Sequence, residues 1–366
     1  MTSITRRTLM AGGAALASAP VVAQAQTRGD SRVDFSGRTL EWVIPFAEGG
    51  GSDVWARFLA PFLSRHMPGR PTIIIRNVPG GGSITGTNDF YARARPDGMS
   101  FIGTSGSTQV PFLLGDRRVR FSYANMPPVF VSPTGGVCYL PARFGVANAA
   151  ELGRLRGQEL VYASQGATSL DVVPMLAFEA LGLRVRHVFG MRGRGEGRLA
   201  LERGEASIDY QTSSAYLRQV VPMVQAGNAV PLFSWGVVDA QGVPQRDPTF
   251  PDIPHFTEAY EMMNGRKPSG LAYDAYLAFA TAGFAAQKPV MLPPNTPANI
   301  VETYKAAFAS MMTDPELLAN KDAALGEYVQ ATGDAIGPLY RLGTTIAPEA
   351  REWVRTYLTT NHNVRF

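Results

Sequence analysis

Three times in this chain a short apolar run stops at a cluster of glycine and hydroxyl residues, and a helical pattern starts directly after it. The junctions are "PFAEGGGSD" (Pro45–Asp53), "NVPGGGSITG" (Asn77–Gly86) and "ASQGATSLD" (Ala163–Asp171). A strand that hands over to a helix through a tight turn is the building unit of α/β folds, and its repetition predicts layered sheets, largely parallel, with helices packed against them. In such sheets ligands gather outside the carboxyl ends of the strands, where these junctions lie.

The surrounding pattern agrees. "LEWVIPF" (Leu40–Phe46), "PTIIIRNV" (Pro71–Val78) and "MSFIGTS" (Met99–Ser105) read as strands. Between the first two, Val54, Phe58, Leu59, Phe62 and Leu63 recur at helical spacing until Pro68-Gly69 stops the helix. A second block opens near Pro127 with "PPVFVSP", "GVCYLPARFGV" and "ELVYASQG". It continues with a helix from about Leu170 to Leu181 closed by Gly182, then "VRHVFGM" and "ASIDYQ". After "AVPLFSWGVV" the chain is loop-rich to about Pro268. A strand-like "YLAFATAGF" follows, then a long helix from Pro297 to about Met312 and a further helix capped by Asp314 with Pro315 at its first position.

Glycine removes the Cβ that would hold a ligand away from the backbone, and the start of the following helix offers unpaired N–H groups at the positive end of its dipole. A turn of this kind binds an anion. Ser52, Ser83, Thr85, Thr168 and Ser169 add hydroxyls that either cap the helices or reach the ligand. The glycines are not followed by the Lys-Ser/Thr of a phosphate-binding loop, and the G-x-G-x-x-G spacing with a later acid is missing. Nucleotides therefore lose ground to a carboxylate.

Composition narrows the classes further. The 366 residues are 45% hydrophobic with a formal charge of only +4, and the basic residues are scattered, which argues against nucleic acid as a partner. One cysteine, Cys138, excludes an intrachain disulfide, and His66, His187, His255 and His362 lack metal-ligand spacing. No cofactor and no metal are expected. At the start, Arg6-Arg7, a mild apolar run from Leu9 to Val22 and Ala23-Gln24-Ala25 compose an export signal of the twin-arginine type over residues 1–25. The expected product is a soluble periplasmic protein beginning near Gln26, not inserted in the membrane.

Beyond this reading of residues, "PFAEGGGSDVWAR", "RNVPGGGSITG" and "ARPDGMSFIGTS" closely resemble the opening of the substrate-binding proteins of tripartite tricarboxylate transporters, the Bug family. "LVYASQGATSLDVVPMLAFEALG", "RLALERGEASIDY", "PDIPHFTEAY" and "LPPNTPANIVETYKAAFASMMTDPEL" are similar to later blocks in the same order. The resemblance implies a two-lobed, Venus-flytrap periplasmic binding protein whose α/β lobes close over a small mono- or dicarboxylate and pass it to integral-membrane permease subunits. It implies one domain from residues 26–128 and 236–366, a second from 129–235, and hinges near Pro128–Ser132 and Leu232–Gly236.

Matched by position, the first two turns contribute Phe46, Ala47, Gly49, Gly50, Ser52 and Asp53, then Pro79, Gly80, Gly81, Gly82 and Ser83. Ser105, Ser164, Gln165, Gly166, Thr168, Ser169, Asp171, Phe189, Arg192, Arg194 and Tyr210 complete the expected ligand-binding set. Asp53 is expected to cap the helix or orient a water. Two stretches leave the family pattern: "SLDVVP" puts Asp171 and Val172 where relatives carry a histidine, and "FGMRGRGEG" replaces a Tyr-Lys-Gly-rich segment. Arg192 or Arg194 would there either clamp a second carboxylate or stand as a solvated loop charge. Phe46, Trp55, Phe189 and Tyr210 near the cleft would suit an aromatic acid, against which Trp55 on the first helix reads rather as core and Arg57 as a pairing residue.

Two other classes compete. An exported hydrolase would use the glycine-flanked serines, though no G-x-S-x-G elbow is present and Cys138, His187 and His255 lack a catalytic signature. A sensory receptor would have the same fold and present its closed form to a signalling partner.

Overall fold

The computed structural model describes residues 33–239 and 242–366, so the export signal lies outside the described residues. The chain first alternates strand and helix as expected: β1 (Thr39–Ile44), α1 (Gly51–His66), β2 (Thr72–Asn77), α2 (Ile84–Arg93), β3 (Ser100–Gly103), α3 (Gly106–Leu114) and β4 (Pro128–Ser132). It then runs through β5 (Gly136–Pro141), β6 (Glu159–Ser164), α4 (Val172–Ala180), β7 (Arg184–Phe189), α5 (Arg194–Glu202), β8 (Asp209–Thr212) and β9 (Ala229–Ser234). A short hairpin of β10 (Val237–Val238) and β11 (Pro244–Gln245) precedes the last strand, β12 (Lys288–Met291).

The strands make two layers, one for each lobe of a two-lobed α/β protein. The first sheet has the order β2-β1-β3-β12-β4, with β1 parallel to β2 and β3 and with β12 antiparallel to both β3 and β4. In the second, β5 lies antiparallel between β8 and β9, β6 pairs in parallel with β7, and a bridge from Tyr162 to Ile208 links β6 to the approach of β8. The expectation of largely parallel sheets therefore holds on one side of the first sheet and in the β6–β7 pair, and fails at β12 and β5.

Alternation along β1 explains why its sheet is covered on both faces. Leu40, Trp42 and Ile44 join the cluster under α1 and helix Ala298–Met311, whereas Val43 joins the opposite one with Ile102 and Met291. Trp55 is core, as read from the sequence: its ring meets Trp42 edge-on with centroids 5.1 Å apart, and its Nε1 donates to Ser132 Oγ at 3.1 Å. A buried ring of this size removes about 150–250 Å² from water, roughly 4–6 kcal/mol of gross hydrophobic stabilisation.

Two assignments late in the chain are corrected. "YLAFATAGF" is the second half of helix Leu271–Phe284, and the loop-rich stretch contains helix Phe256–Asn264, opened by a capping box between His255 and Glu258. The first was misread because it is apolar on every side, which gives a buried helix and a buried strand the same signature. Asp314 is the cap expected of it, accepting from the amides of Glu316 and Leu317.

The later helices are not confined to the first sheet. Helix Leu271–Phe284 packs on α3 and α4 alike, and helix Phe256–Asn264 lies on the segment Ala149–Leu155. A single apolar cluster takes in Val110 and Leu114 of α3, Met175 and Phe178 of α4, Tyr276 and Phe279, and Val354 and Leu358 of the final helix. The core thus crosses the boundary expected at residue 236.

Candidate functional site

The first glycine turn ends β1 at the base of the cleft. Gly49 has a left-handed backbone, φ +77, and its N–H donates to Asp53 Oδ2 at 2.9 Å. The other oxygen of Asp53 accepts from Arg57 Nε at 2.9 Å and from Asn77 Nδ2 at 3.1 Å, while Asn77 Nδ2 also donates to the Phe46 carbonyl. Asp53 thus pins the turn from beneath, and Arg57 is the pairing residue expected of it. The helix cap itself is Gly50, so α1 starts without a side-chain cap. Its first N–H groups are left for whatever lies in front of them.

What lies in front is a small chamber. Phe46, Gly50, Gly51 and Ser52 line it from the first turn, and Ser105, Ser107 and Gln287 from the β3–α3 and pre-β12 segments. Gln165, Leu170, Arg194, Tyr210 and Thr212 line it from the other lobe. Its space is about 20 Å³, room for about one water molecule. The lobes touch around it: Ala47 N donates to Arg192 O at 3.2 Å, Ser214 Oγ to Gly51 O at 3.2 Å, and Ser107 Oγ to Gln165 Oε1 at 3.0 Å.

A larger cavity of about 590 Å³ opens beside it, lined by Gly80–Gly82, Arg117, Arg118, Gln165–Thr168, Phe189–Arg192 and the tail at His362–Arg365. Gln165 is wall to both spaces. The second turn borders this outer cavity after Pro79, with φ of +139, +56 and +66 at Gly80, Gly81 and Gly82, a run of left-handed backbone open to glycine. Ser83, at φ +85, instead turns inward, its hydroxyl 2.8 Å from Thr108 Oγ1.

Several other expected contacts are spent on the protein itself. Asp171 Oδ2 accepts from Ser164 Oγ at 2.9 Å and from Gln165 N at 2.6 Å, and its Oδ1 accepts from Tyr210 OH at 3.2 Å. Ser169 Oγ donates to Gly166 O, and Thr168 Oγ1 donates to Asp116 Oδ2 while accepting from Arg118. Although burial opposes the Asp116 charge, the bonds from Arg118 hold its carboxyl below the ordinary value. Ser105 caps α3.

Arg194 is a correction of another kind. Neither a solvated charge nor free to clamp a ligand, it is buried, and all three guanidinium nitrogens donate within its own lobe, to Ala163 O at 2.8 Å, Tyr210 O at 3.4 Å, Asp171 at 3.3 Å and Asp209. Burial works against its charge, yet Tyr162 and Asp171 hold it above its usual value. Arg192 stands at the outer cavity paired with Glu196 at 2.6 Å, and Phe189 is exposed there, stacked on His187.

The chamber also contains residues that the sequence reading passed over: Gly51 inside the first turn, and Ser107, Leu170, Thr212 and Gln287. The only signal of the last four was position, directly after β3, within the third turn, at the end of β8 and directly before β12. Nucleophile chemistry gains nothing here. Cys138 is fully buried and its thiol is pushed up by desolvation, while His255 Nδ1 accepts from Thr257 N as part of a helix cap. Among the described residues no cluster of His, Cys, Asp or Glu could hold a metal, and no helix is long and apolar enough to cross a membrane.

No family model matches the chain. A UPF0065 protein of Bordetella pertussis is 29% identical over 290 residues, 77% of this chain and 78% of its own length. BugT of the same organism is 34% identical over 73 residues, 20% of this chain and 22% of its own. The solved periplasmic binding protein BugD shares the fold with a TM-score of 0.68 at 20% identity, covering 88% of this chain and 98% of BugD. MatC of Rhodopseudomonas palustris, solved with bound malate, and an R. palustris protein solved with adipate give TM-scores of 0.61 and 0.65 at 18% and 19% identity, each match covering 89% of this chain and 98% of theirs. The chain is thus similar in sequence to UPF0065 and Bug proteins, and it shares the two-lobed α/β fold of solved periplasmic binding proteins such as BugD.

Proposed function

We propose that the protein is a periplasmic receptor that captures a small carboxylate between its lobes and hands it to the permease subunits of a tripartite tricarboxylate-type transporter. The observation that carries this reading is the uncapped start of α1 at Gly50–Ser52, facing the chamber. Unpaired N–H groups at the positive end of a 16-residue helix favour an anion. The start of α3 at Ser105–Ser107 faces the same space. Malate and adipate in the R. palustris proteins are carboxylates of the size such a site would take.

Capture requires that the lobes part, because the chamber has room for about one water as the lobes now meet. The crossovers between the sheets run side by side, with Trp235 N donating to Gly136 O at 3.0 Å, and serve as the hinge of such a motion. Around the outer cavity Arg118 is paired with Asp116 and Arg192 with Glu196, so Arg117 and Arg365 supply the positive surplus that draws anions in. The closed form is then the one that the transporter recognises.

The test is a thermal-shift screen of the chain from Gln26 onward, stripped of bound ligand by unfolding and refolding, against mono-, di- and tricarboxylates, keto acids and aromatic acids. A ligand at 100 times its dissociation constant adds about 2.7 kcal/mol. A response confined to carboxylates, with the ligand recovered unchanged, is expected. Silence across all of them, or turnover of an ester or amide, would remove the receptor reading.

A further inference from the structure

Gln287 is 1% exposed and lines the inner chamber, yet neither its amide nitrogen nor its amide oxygen has a hydrogen-bond partner. Across the lobe boundary, Gln165 is 5% exposed; its Oε1 accepts from Ser107 Oγ at 3.0 Å, while its Nε2 is likewise unpartnered. A buried amide left without partners is destabilising, and native proteins keep few of them. Two on opposite walls of one small space point to a ligand group between them.

We infer that this chamber selects a monocarboxylate whose far end is an uncharged group that both donates and accepts hydrogen bonds, best matched by a carboxamide, and that Gln287 and Gln165 make the selection. The inference rests on the carboxylate-receptor reading and specifies the other end of the ligand. The free groups are two NH₂ donors and one carbonyl acceptor. A carboxamide, with one carbonyl and one NH₂, satisfies both kinds. An ionised carboxylate only accepts: it can take both NH₂ groups but leaves Gln287 Oε1 without a donor.

The charges beside the chamber select in the same direction. Arg194, the nearest cation of the second lobe, is held by Asp171 and Asp209, so the cluster of one guanidinium and two carboxylates sums formally to 1 − 2 = −1. Within the lining of the inner chamber no guanidinium is left for a second ligand carboxylate, which would be brought beside that negative sum in a poorly solvated space. A neutral far end meets no such opposition.

The test uses the stripped chain from Gln26 onward, titrated calorimetrically with matched pairs: succinate and succinamate, glutarate and glutaramate, adipate and adipamate. In every pair that binds, the half-amide should bind at least tenfold tighter. Gln287→Leu and, separately, Gln165→Leu should bring the two members to within threefold, with circular dichroism and the ligand-free melting temperature showing each variant folded. A dicarboxylate that binds as tightly as its half-amide, or a preference that survives both substitutions, overturns the inference. So does binding confined to simple monocarboxylates such as propionate and benzoate, which would leave the receptor reading standing. Failure of every carboxylate removes that reading as well, so the two failures are told apart.

Discussion

A methyl group added at Gly51 should hold the lobes apart. A Cβ at that position would lie 1.9 Å from Thr212 Oγ1 and 3.3 Å from Thr212 Cβ, both in the opposite lobe. The first distance is far inside van der Waals contact, so the closed arrangement must shift. Overpacking of this kind costs about 1–3 kcal/mol, which lowers affinity roughly 5- to 150-fold if the closed form is the one that binds. Within its own lobe the change is benign, because alanine suits the first turn of a helix better than glycine. Thr212→Ala removes the offending oxygen and leaves the 3.3 Å approach, so the double variant should recover most of the affinity, with a coupling of the same 1–3 kcal/mol in a double-mutant cycle. Affinity would be read by calorimetry with whichever carboxylate most stabilises the wild type, and lobe separation by the radius of gyration in solution scattering. A Gly51→Ala protein that binds and scatters as the wild type does, or a double variant no better than the single, would refute the reasoning.

Arg194→Ala should destabilise the fold by about 3–5 kcal/mol in urea titrations, because it leaves Asp171 and Asp209 buried without their cation; a change below 1 kcal/mol would show the cluster to be hydrated. Lys288, 1% exposed, has its amine pushed down from 10.5 to about 7 by burial, a difference worth roughly 5 kcal/mol at most. Below pH 7 the folded and unfolded chains both carry the proton and the full penalty is present. Between 7 and 10.5 only the unfolded chain keeps it, so stability rises with pH. Lys288→Met should remove that rise and raise the melting temperature at pH 6, and a lowered one would show that the amine is needed. Burial, with His362 adding to it, depresses His187 to about 4. Stability should therefore fall as the pH drops from 6.5 to 4, by up to about 3 kcal/mol, and His187→Phe should flatten that stretch of the melting profile.

Legibility from sequence followed the locality of the signal. The first strands, α1 and the glycine junctions announce themselves within a few residues, through period-2 runs, helical spacing and residues favoured at turns. Strand β12 gave no such signal: four residues, "KPVM", one of them an unpaired lysine and one a proline, become a strand only because β3 and β4 leave a gap between them. The stretch 276–284 reads as extended because it holds no charged residue to mark a face. At the site, the backbone portion was legible, since glycine states its own purpose. The side-chain portion was not: Arg194 looks like a ligand clamp until Asp171 and Asp209 converge on it from 23 and 15 residues away, and Gln287 has no motif around it at all.

Helix Leu271–Phe284, wedged against α3 and α4 together, has a consequence for recombination. The lobes cannot be traded between relatives as separate modules by cutting at the crossovers, because the interval from 129 to 235 leaves behind the apolar surface that covers α4. A chimera that imports a foreign ligand-selecting lobe has to import this helix with it, or rebuild the helix's second face to suit the newcomer.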